Sequence, residues 1–186
     1  MKDKDRLFAV CLGGRAEGCN TELHDVVFVT GSSIEATYDQ LLDRWFGLPE
    51  GLHIDVWAEL DVVDGHRVSL SPEPQAAGAK LWFVNLGAYR SGEFAEAHAV
   101  AFLVAQSAAE AKRRAKAQLL EGADELHTDD LYDIDGCLEV AAVGELHVVL
   151  TPTDHAASPS IHAGYRPLPN DVIATHIAKR ASGAHS

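Results

Sequence analysis

The sequence predicts an α+β protein built as a tandem duplication of one β-β-α-β-β unit. Residues 7–61 align with residues 81–135 at a constant shift of 74 positions, and 14 of the 55 aligned positions are identical. Unrelated sequences of average composition would share about 3 or 4. In each copy, short apolar runs flank one amphipathic stretch. We therefore expect two sheets, each covered by a helix, and a pseudo-twofold relation between them.

The duplication sets the expected domain boundaries. A short Ala- and Gly-containing linker joins the two copies, and a polar tail follows the second copy. In the tail, Pro169-Asn170-Asp171 can begin a short amphipathic helix, whereas its four histidines have no regular spacing and suggest a solvated segment. The expected segments are a first repeat unit 1–74, a linker 75–80, a second repeat unit 81–152 and a tail 153–186 with a helix over 170–181.

Each copy begins with two apolar strands. The first strands, Leu7–Leu12 and Leu81–Leu86, both end at a glycine, and the second strands are His24–Val29 and His98–Val104. Short apolar runs bounded by turn residues are typical of buried strands. We expect the two strands of each copy to pair in antiparallel fashion.

A helix and a hairpin complete each copy. Ser32-x-x-Glu35 and Ser107-x-x-Glu110 have the pattern of a capping box, which satisfies free amides at a helix start. The first hairpin turns at Asp64-Gly65, a favoured type I′ pair, and the second turns at Gly144-Glu145. Past Asp61, and so past Asp135 in the second copy, we expect an insertion of about six residues in the second copy. The frame of the repeat resumes at Val68-Ser69-Leu70, which align with Val148-Val149-Leu150.

The charge of the chain excludes some classes of partner. The formal net charge is −13, from 15 Lys and Arg against 28 Asp and Glu. Such an acidic surface repels phosphate backbones, so we expect neither nucleic acid nor anionic membranes as partners. The apolar runs are also too short to span a bilayer. A small polar ligand and a homo-oligomer remain open as partners.

Cysteine usage and the amino-terminal residues favour a cytoplasmic protein. The three cysteines, Cys11, Cys19 and Cys137, form no CxxC pair and are odd in number, which argues against a disulfide framework or a zinc knuckle. The first six residues are mostly charged and contain no apolar signal segment. We expect free, mostly buried thiols in a cytoplasmic protein.

A few polar residues recur in both copies, and the expected topology gathers them. The recurring pairs are Glu22/Glu96, His24/His98, His53/His127 and Asp55/Asp129. A helical crossover returns the chain to the edge where the second strand began, so His24, His53 and Asp55 should meet there. Gly13 ends the first strand at that same edge. These residues are the candidate ligand-binding positions in each copy.

Two histidines and a carboxylate support three kinds of chemistry. His24, His53 and Asp55 could hold a divalent metal ion with open coordination positions. They could also form a His–Asp acid–base pair, or bind a polar ligand without reacting with it. The alternative is a structural role, in which histidines cap strand ends and aspartates satisfy loop amides.

Several motifs resemble a bacterial family catalogued as domain of unknown function 1543, whose members carry one or two copies of a short module. The residues that carry this resemblance are Leu12-Gly13-Gly14, Glu22-x-His24-Asp25-Val26-x-Phe28, Leu52-His53-Ile54-Asp55-x-Trp57 and Val63-Asp64-Gly65. The second copy departs from the pattern: Ala99 stands for Asp25, Leu131 stands for Trp57, and the Asp-Gly turn is absent. The resemblance implies a family and no activity.

The sequence thus predicts a cytoplasmic accessory or small-ligand-binding protein with two related polar pockets. One alternative is a metal-assisted or His–Asp hydrolase that works mainly from the first repeat. A second alternative is a purely structural or interaction protein.

Overall fold

The computed structural model describes residues 5–75, 77–88, 92, 94–120, 133–155 and 158–183. Within these ranges the strands are β1 Arg6–Gly14, β2 Leu23–Gly31, β3 His53–Glu59, β4 Val62–Val63, β5 His66–Ser71, β6 Lys80–Ala88, β7 Ala97–Ala105, β8 Asp133–Glu139, β9 Ala142–Val143, β10 Leu146–Pro152 and β11 Ser160–Pro167. The α-helices are α1 Tyr38–Arg44, α2 Ala108–Leu120 and α3 Asn170–Gly183.

The predicted α+β class and the duplicated β-β-α-β-β order are both confirmed. The first copy supplies β1, β2, α1, β3 and the hairpin β4–β5, and the second supplies β6, β7, α2, β8 and the hairpin β9–β10. The compact units follow a different division, which is Met1–Asp61 with Pro159–Ser186 and, separately, Val62–Ser158. The compact units therefore do not coincide with the sequence repeats.

The first unit contains a four-stranded sheet in the order β11-β3-β1-β2. β1 is central and antiparallel to both β2 and β3, so β2 and β3 run in the same direction on either side of it. This arrangement follows from the helical crossover between β2 and β3. It brings the start of β2, the start of β3 and the end of β1 to one edge.

One face of this sheet packs against α1 and α3. Phe8, Val10 and Leu12 of β1 point to this face and are almost fully buried. The predicted apolar face of the first helix is buried against them, and it consists of Ile34, Tyr38, Leu41, Leu42 and Trp45. Because every second residue of a strand points to the same side, the intervening residues of β1 face away from this core.

The second unit contains a three-stranded sheet in the order β7-β6-β8, and α2 packs against it. Ala111 and Ala115 of α2 are fully buried against Val84, Leu86 and Leu103 of the sheet, which confirms the thinner apolar face expected there. The Ser107 hydroxyl accepts a hydrogen bond from the Glu110 amide at 3.3 Å, as the capping pattern predicts. In the first copy a 3-10 turn, Glu35–Thr37, precedes α1 instead.

The two hairpins form a third sheet that the sequence did not predict. Its order is β4-β5-β10-β9, with β5 and β10 antiparallel at the centre, and it belongs to the second unit. At the first turn, Asp64 and Gly65 have φ values of 50° and 72°, as a type I′ turn requires. Each hairpin alone would leave the outer edges of both of its strands unpaired, and the pairing of β5 with β10 satisfies one edge of each hairpin.

The tail contributes a strand and a helix to the first unit. β11 pairs with β3, and Leu168 and Ile173 are buried in the core of the first unit. His176 is also buried, and His162 stacks on Trp57 with 3.9 Å between ring centroids. His185 lies outside the described residues. The helix expected over 170–181 is present as α3.

No helix among the described residues combines the length and the apolar character needed to cross a bilayer.

Candidate functional site

The candidate site lies on the face of the first unit's sheet that points away from α1. Gly13 of β1 pairs with His24 of β2 on one side and with His53 of β3 on the other. Residues paired across antiparallel strands point to the same face, and the neighbours Leu12 and Ile54 are in the core. Both imidazoles therefore lie on the opposite face, beside the glycine.

A β-bulge adds Asp55 to the same face. The register between β1 and β3 shifts between Cys11 and Leu12, which pair with Val56 and Ile54 and leave Asp55 without a partner in β1. Bulges redirect side chains in this way and are common beside functional sites. His53 and Asp55 thus lie within β3 rather than just before it.

Four side chains converge at this position. Asp55 Oδ2 lies 3.0 Å from His24 Nε2, and Asp55 Oδ1 lies 3.5 Å from His53 Nε2. Glu22, which directly precedes β2, places Oε1 at 2.5 Å from His53 Nε2 and 3.9 Å from His24 Nε2. Ligand atoms of Glu22, His53 and Asp55 all lie within 4.8 Å of one another. Glu22 therefore belongs to the tightest trio, where the sequence had suggested His24.

The backbone fixes the orientation of the His53 ring. Its Nδ1 atom lies 2.9 Å from the carbonyl oxygen of Gly51, which can only accept a hydrogen bond, so Nδ1 carries a proton. The other ring nitrogen, Nε2, then points at the two carboxylates. The His53 side chain is 6% exposed, whereas His24 is 53% exposed. One imidazole is thus held rigidly in the floor of the site, and the other lies at its solvent side.

Gly13 leaves the space that the side chains of Glu22, His53 and Asp55 occupy. A Cβ atom at this position would lie under 3.0 Å from His53 Nε2, Glu22 Oε1 and Asp55 Oδ2. Carbon atoms do not approach polar atoms this closely without displacing them. A glycine is therefore needed here for lack of a side chain, not for its backbone conformation.

The sequence analysis missed Tyr165, which lies against His53 with 4.5 Å between ring centroids. Tyr165 belongs to β11, which has no counterpart in the repeat, so comparison of the two copies could not reveal it. The alternation of Ile161, Ala163 and Tyr165 is a weak strand signal from which the strand that carries Tyr165 could have been predicted.

The thiol nearest in sequence to the site is that of Cys11. Burial raises the pKa of Cys11, and the negative charges of Asp55 and Asp25 raise it further. A protonated thiol is a poor nucleophile. The side chains that converge at the site are the imidazoles and the carboxylates.

Comparison with known proteins places the chain in a family. The model of a family described as Domain of Unknown Function (DUF1543) matches residues 19–70 and 93–143, one region in each repeat. The chain belongs to the DUF1543 family. The first match contains Glu22, His24, His53 and Asp55.

The chain also resembles a solved structure over most of its length. The chain is similar to the crystal structure of a protein Il1583 from Idiomarina loihiensis, at 36% identity and a TM-score of 0.68. The similarity covers 90% of this chain and 99% of that one. A comparison with curated proteins found no significant match.

The second DUF1543 repeat reproduces the backbone of the site and corrects the expected pairing of residues. Gly87 pairs with His98, as Gly13 does with His24, but its partner in β8 is Asp133, and the bulge falls at Asp135. Asp133 and Asp135 are therefore the counterparts of His53 and Asp55. The assignment of His127 and Asp129 to these positions was wrong, and both lie outside the described residues.

The error arose from the position of the six-residue insertion, which precedes β8 instead of following it. Two equivalent contacts fix the register. The amide of Leu60 donates to the Leu7 carbonyl as that of Val140 donates to Leu81, and the ion pair Arg6–Glu59 recurs as Lys80–Glu139. By the same register Cys137, not Leu131, stands for Trp57.

Among the candidate residues of the second repeat, Glu96 and His98 lie close together, with 3.5 Å between Glu96 Oε2 and His98 Nε2.

Proposed function

We propose that this DUF1543 protein is a cytoplasmic binding protein for a small cationic ligand, which it holds between Glu22, His24, His53 and Asp55. The observation that carries the proposal is the 2.5 Å separation of His53 Nε2 and Glu22 Oε1. With Nδ1 protonated by its contact to Gly51, a neutral His53 would present the Nε2 lone pair to a carboxylate oxygen. Two lone pairs repel at this distance unless a proton or another cation lies between them.

The charges around the site support a cationic ligand. Among the described residues, the two imidazoles are the only basic side chains within ion-pair distance of Glu22 and Asp55. Both carboxylates are partly exposed, at 45% and 28%, so a ligand can reach them. Two neighbouring carboxylates attract cations, and the net charge of −13 adds to this field.

We place the function in the first repeat, although the sequence predicted two related pockets. In the second repeat Asp133 takes the position of His53, so the donor set there is different. The cytoplasmic location is supported by three free cysteines, which is the usual state in a reducing compartment.

Thermal unfolding against a panel of small cations tests the proposal. The panel comprises Zn²⁺, Co²⁺, Mn²⁺, Mg²⁺, Ca²⁺, guanidinium and ethanolammonium. At least one should raise the melting temperature of the wild type, because a ligand that binds only the folded state stabilises it. The rise in melting temperature should be lost in Glu22→Gln and retained in the control variant His66→Ala. His66 resembles His53 in that its ring nitrogen contacts the carbonyl oxygen two residues earlier, but it lies in β5, in the sheet formed by the two hairpins.

The variants Glu22→Gln and His24→Ala test the alternative that the cluster has a purely structural role. If the cluster serves stability alone, Glu22→Gln and His24→Ala lower the melting temperature and no cation shifts it. A binding site is instead assembled at some cost to stability, so we expect these two variants to be neutral or slightly stabilising without ligand. The proposal would be contradicted if none of these cations raised the melting temperature of the wild type.

A second candidate function is supported by the 3.0 Å contact between His24 and Asp55. An aspartate that orients an imidazole is the arrangement of a general base, so the site could activate water in a hydrolase. Hydrolysis of simple phosphate and carboxylic esters by the wild type, lost in both His24→Ala and Asp55→Asn, would favour this candidate. Activity that survives both substitutions would rule it out.

A further inference from the structure

We infer that the cation is a divalent transition-metal ion, with His53 Nε2, Glu22 and Asp55 as its first ligands and His24 as the fourth. This inference rests on the proposed function and narrows its ligand class. The mixed set of two imidazole nitrogens and two carboxylates decides the class. Mg²⁺ and Ca²⁺ are bound almost entirely by oxygen atoms, whereas Zn²⁺, Mn²⁺, Fe²⁺, Co²⁺ and Ni²⁺ accept imidazole together with carboxylate.

The ligand atoms of Glu22, His53 and Asp55 are close enough to share one ion, since all lie within 4.8 Å of one another. Ligand atoms bound at about 2.0–2.2 Å to a single ion lie about 2.8–3.6 Å apart in tetrahedral or octahedral geometry. Asp55 Oδ1 lies 3.5 Å from His53 Nε2, and the other oxygen of the same carboxylate, Oδ2, lies 3.0 Å from His24 Nε2. The two separations to Glu22, 2.5 and 3.9 Å, fall on either side of this range. A rotation of the half-exposed Glu22 side chain would equalise them.

The partner of the distal ring nitrogen supports metal binding by His53. A metal-binding imidazole nearly always donates a hydrogen bond from its other nitrogen to a carbonyl or carboxylate, which fixes the ring and increases its basicity. His53 has this bond, to the Gly51 carbonyl at 2.9 Å, and its side chain is 6% exposed. A buried imidazole that served only to fill the core would not need its free nitrogen directed at two carboxylates.

The site has a closed side and an open side. Gly13 forms its floor, and the Tyr165 ring covers His53. Glu22 and His24 are about half exposed, so an ion can enter from solvent and retain water at the remaining positions. Sites that keep such positions open can also bind a substrate atom.

Binding of Co²⁺ and Zn²⁺ to the metal-free full chain tests the inference. We expect one Co²⁺ per chain, with visible absorption bands that report imidazole coordination, and displacement of Co²⁺ by one Zn²⁺. Glu22→Gln and His53→Ala should each weaken Zn²⁺ binding by about 10–100-fold in competition with a chromophoric chelator. His24→Ala should weaken it less and alter the Co²⁺ spectrum.

Two controls separate this site from adventitious binding by surface histidines. His66→Ala and His155→Ala should leave both the affinity for Zn²⁺ and the Co²⁺ spectrum unchanged. His53 is buried, so circular dichroism should first establish whether His53→Ala is folded. If it is unfolded, the test rests on Glu22→Gln and His24→Ala, which change half-exposed residues.

The outcomes distinguish the inference from the proposed function. If guanidinium or ethanolammonium stabilises the protein through Glu22 while Co²⁺ and Zn²⁺ do not bind, the metal assignment is wrong and cation binding stands. If Mg²⁺ or Ca²⁺ binds as tightly as Zn²⁺ and His53→Ala has no effect, the assignment is also wrong. If no cation of either kind binds, both fail.

Discussion

The ring of Tyr165 lies 4.5 Å from the imidazole of His53, centroid to centroid, at an angle of 48°. Tyr165 comes from the C-terminal segment, more than a hundred residues after His53. It reaches the site because β11 pairs with β3 and carries an irregularity between Ala163 and Arg166, opposite Asp55. The C-terminal segment is therefore part of the candidate site and not an appendage.

Removal of the Tyr165 ring should weaken ligand binding without unfolding the protein. In Tyr165→Ala the His53 imidazole loses its cover and becomes hydrated, so we expect Zn²⁺ affinity to fall about 3–10-fold. Tyr165→Phe keeps the ring and should bind as the wild type does. Because Tyr165 is 70% exposed, the melting temperature should change little. Ile161→Ala, at an exposed position of the same strand, is the matched control, and an equal loss of affinity there would refute a specific role for Tyr165.

A methyl group at Gly13 should abolish binding while every donor atom remains. In Gly13→Ala the new Cβ would displace His53 Nε2, Glu22 Oε1 and Asp55 Oδ2, all of which lie under 3.0 Å from its position. We expect loss of Zn²⁺ binding by at least about 100-fold, together with destabilisation of about 1–3 kcal/mol from overpacking. Isothermal titration and thermal unfolding measure the two effects.

The control for this substitution is Gly136→Ala, also within a strand, where the nearest heavy atom to an added Cβ is 4.0 Å away. Gly136→Ala should have little effect on either measurement. Zn²⁺ binding by Gly13→Ala at wild-type strength would contradict the proposed geometry.

The ion pair between Asp64 and Arg114 should make the second unit sensitive to acid. Burial alone would raise the pKa of Asp64, but hydrogen bonds from the Arg114 guanidinium and the Val104 amide, with the charges of Arg114 and His66, lower it below its usual value. The folded-state pKa is therefore below the unfolded-state value of about 3.9. The stabilisation is complete above that value and is lost as the pH falls through the folded-state pKa.

Asp64→Asn isolates the charge, because asparagine tolerates the positive φ of 50° at this turn position. We expect a loss of about 1–2 kcal/mol at pH 7, since both side chains are about a quarter exposed. The two proteins should converge only as the pH falls through the folded-state pKa, which is below about 3.9. Urea unfolding at a series of pH values from 7 down to well below the unfolded-state pKa measures this difference. Asp154→Asn, at an exposed position of the same unit, is the control. A difference that does not depend on pH would show that the charge is not responsible.

The buried face of α3 should contribute to the stability of the first unit. Ile173 is 5% exposed in the same core cluster as Leu41 and Ile54. Ile173→Ala should cost about 2–4 kcal/mol, because it removes buried methyl groups and leaves a cavity. Ile177→Ala, on the same helix but 38% exposed, should cost clearly less. Urea midpoints that are equal for the two variants would contradict the observed packing of α3.

The central part of the candidate site followed from the sequence. Recurrence of Gly13, Glu22 and His24 at a shift of 74 positions marked them as more than surface residues. The right-handed crossover then predicted that His24 and His53 would meet at one edge. The prediction succeeded because apolar periodicity fixes the strands and chain connectivity fixes their directions.

The exact pairing in the second copy could not be derived in this way. The constant shift of 74 positions aligns Ile54 and Val56 of the third strand with Thr128 and Asp130, whereas a shift with six more residues aligns Ile54 and Glu59 with Ile134 and Glu139. The hydrogen bonds between β6 and β8 follow the second frame and place Asp133 opposite Gly87. The apparent match of His127 to His53 was a coincidence of a short motif.

The sequence by itself determined the duplication, the α+β class and the meeting of His24 and His53 at one sheet edge, because these depend on local periodicity and on the order of elements along the chain. Tertiary structure alone decided that the hairpins share a third sheet, that β11 brings Tyr165 to His53, and that a bulge turns Asp55 toward the imidazoles. Each of these features depends on which strands pair with one another. Strand pairing is decided by hydrogen bonds between segments far apart in the sequence.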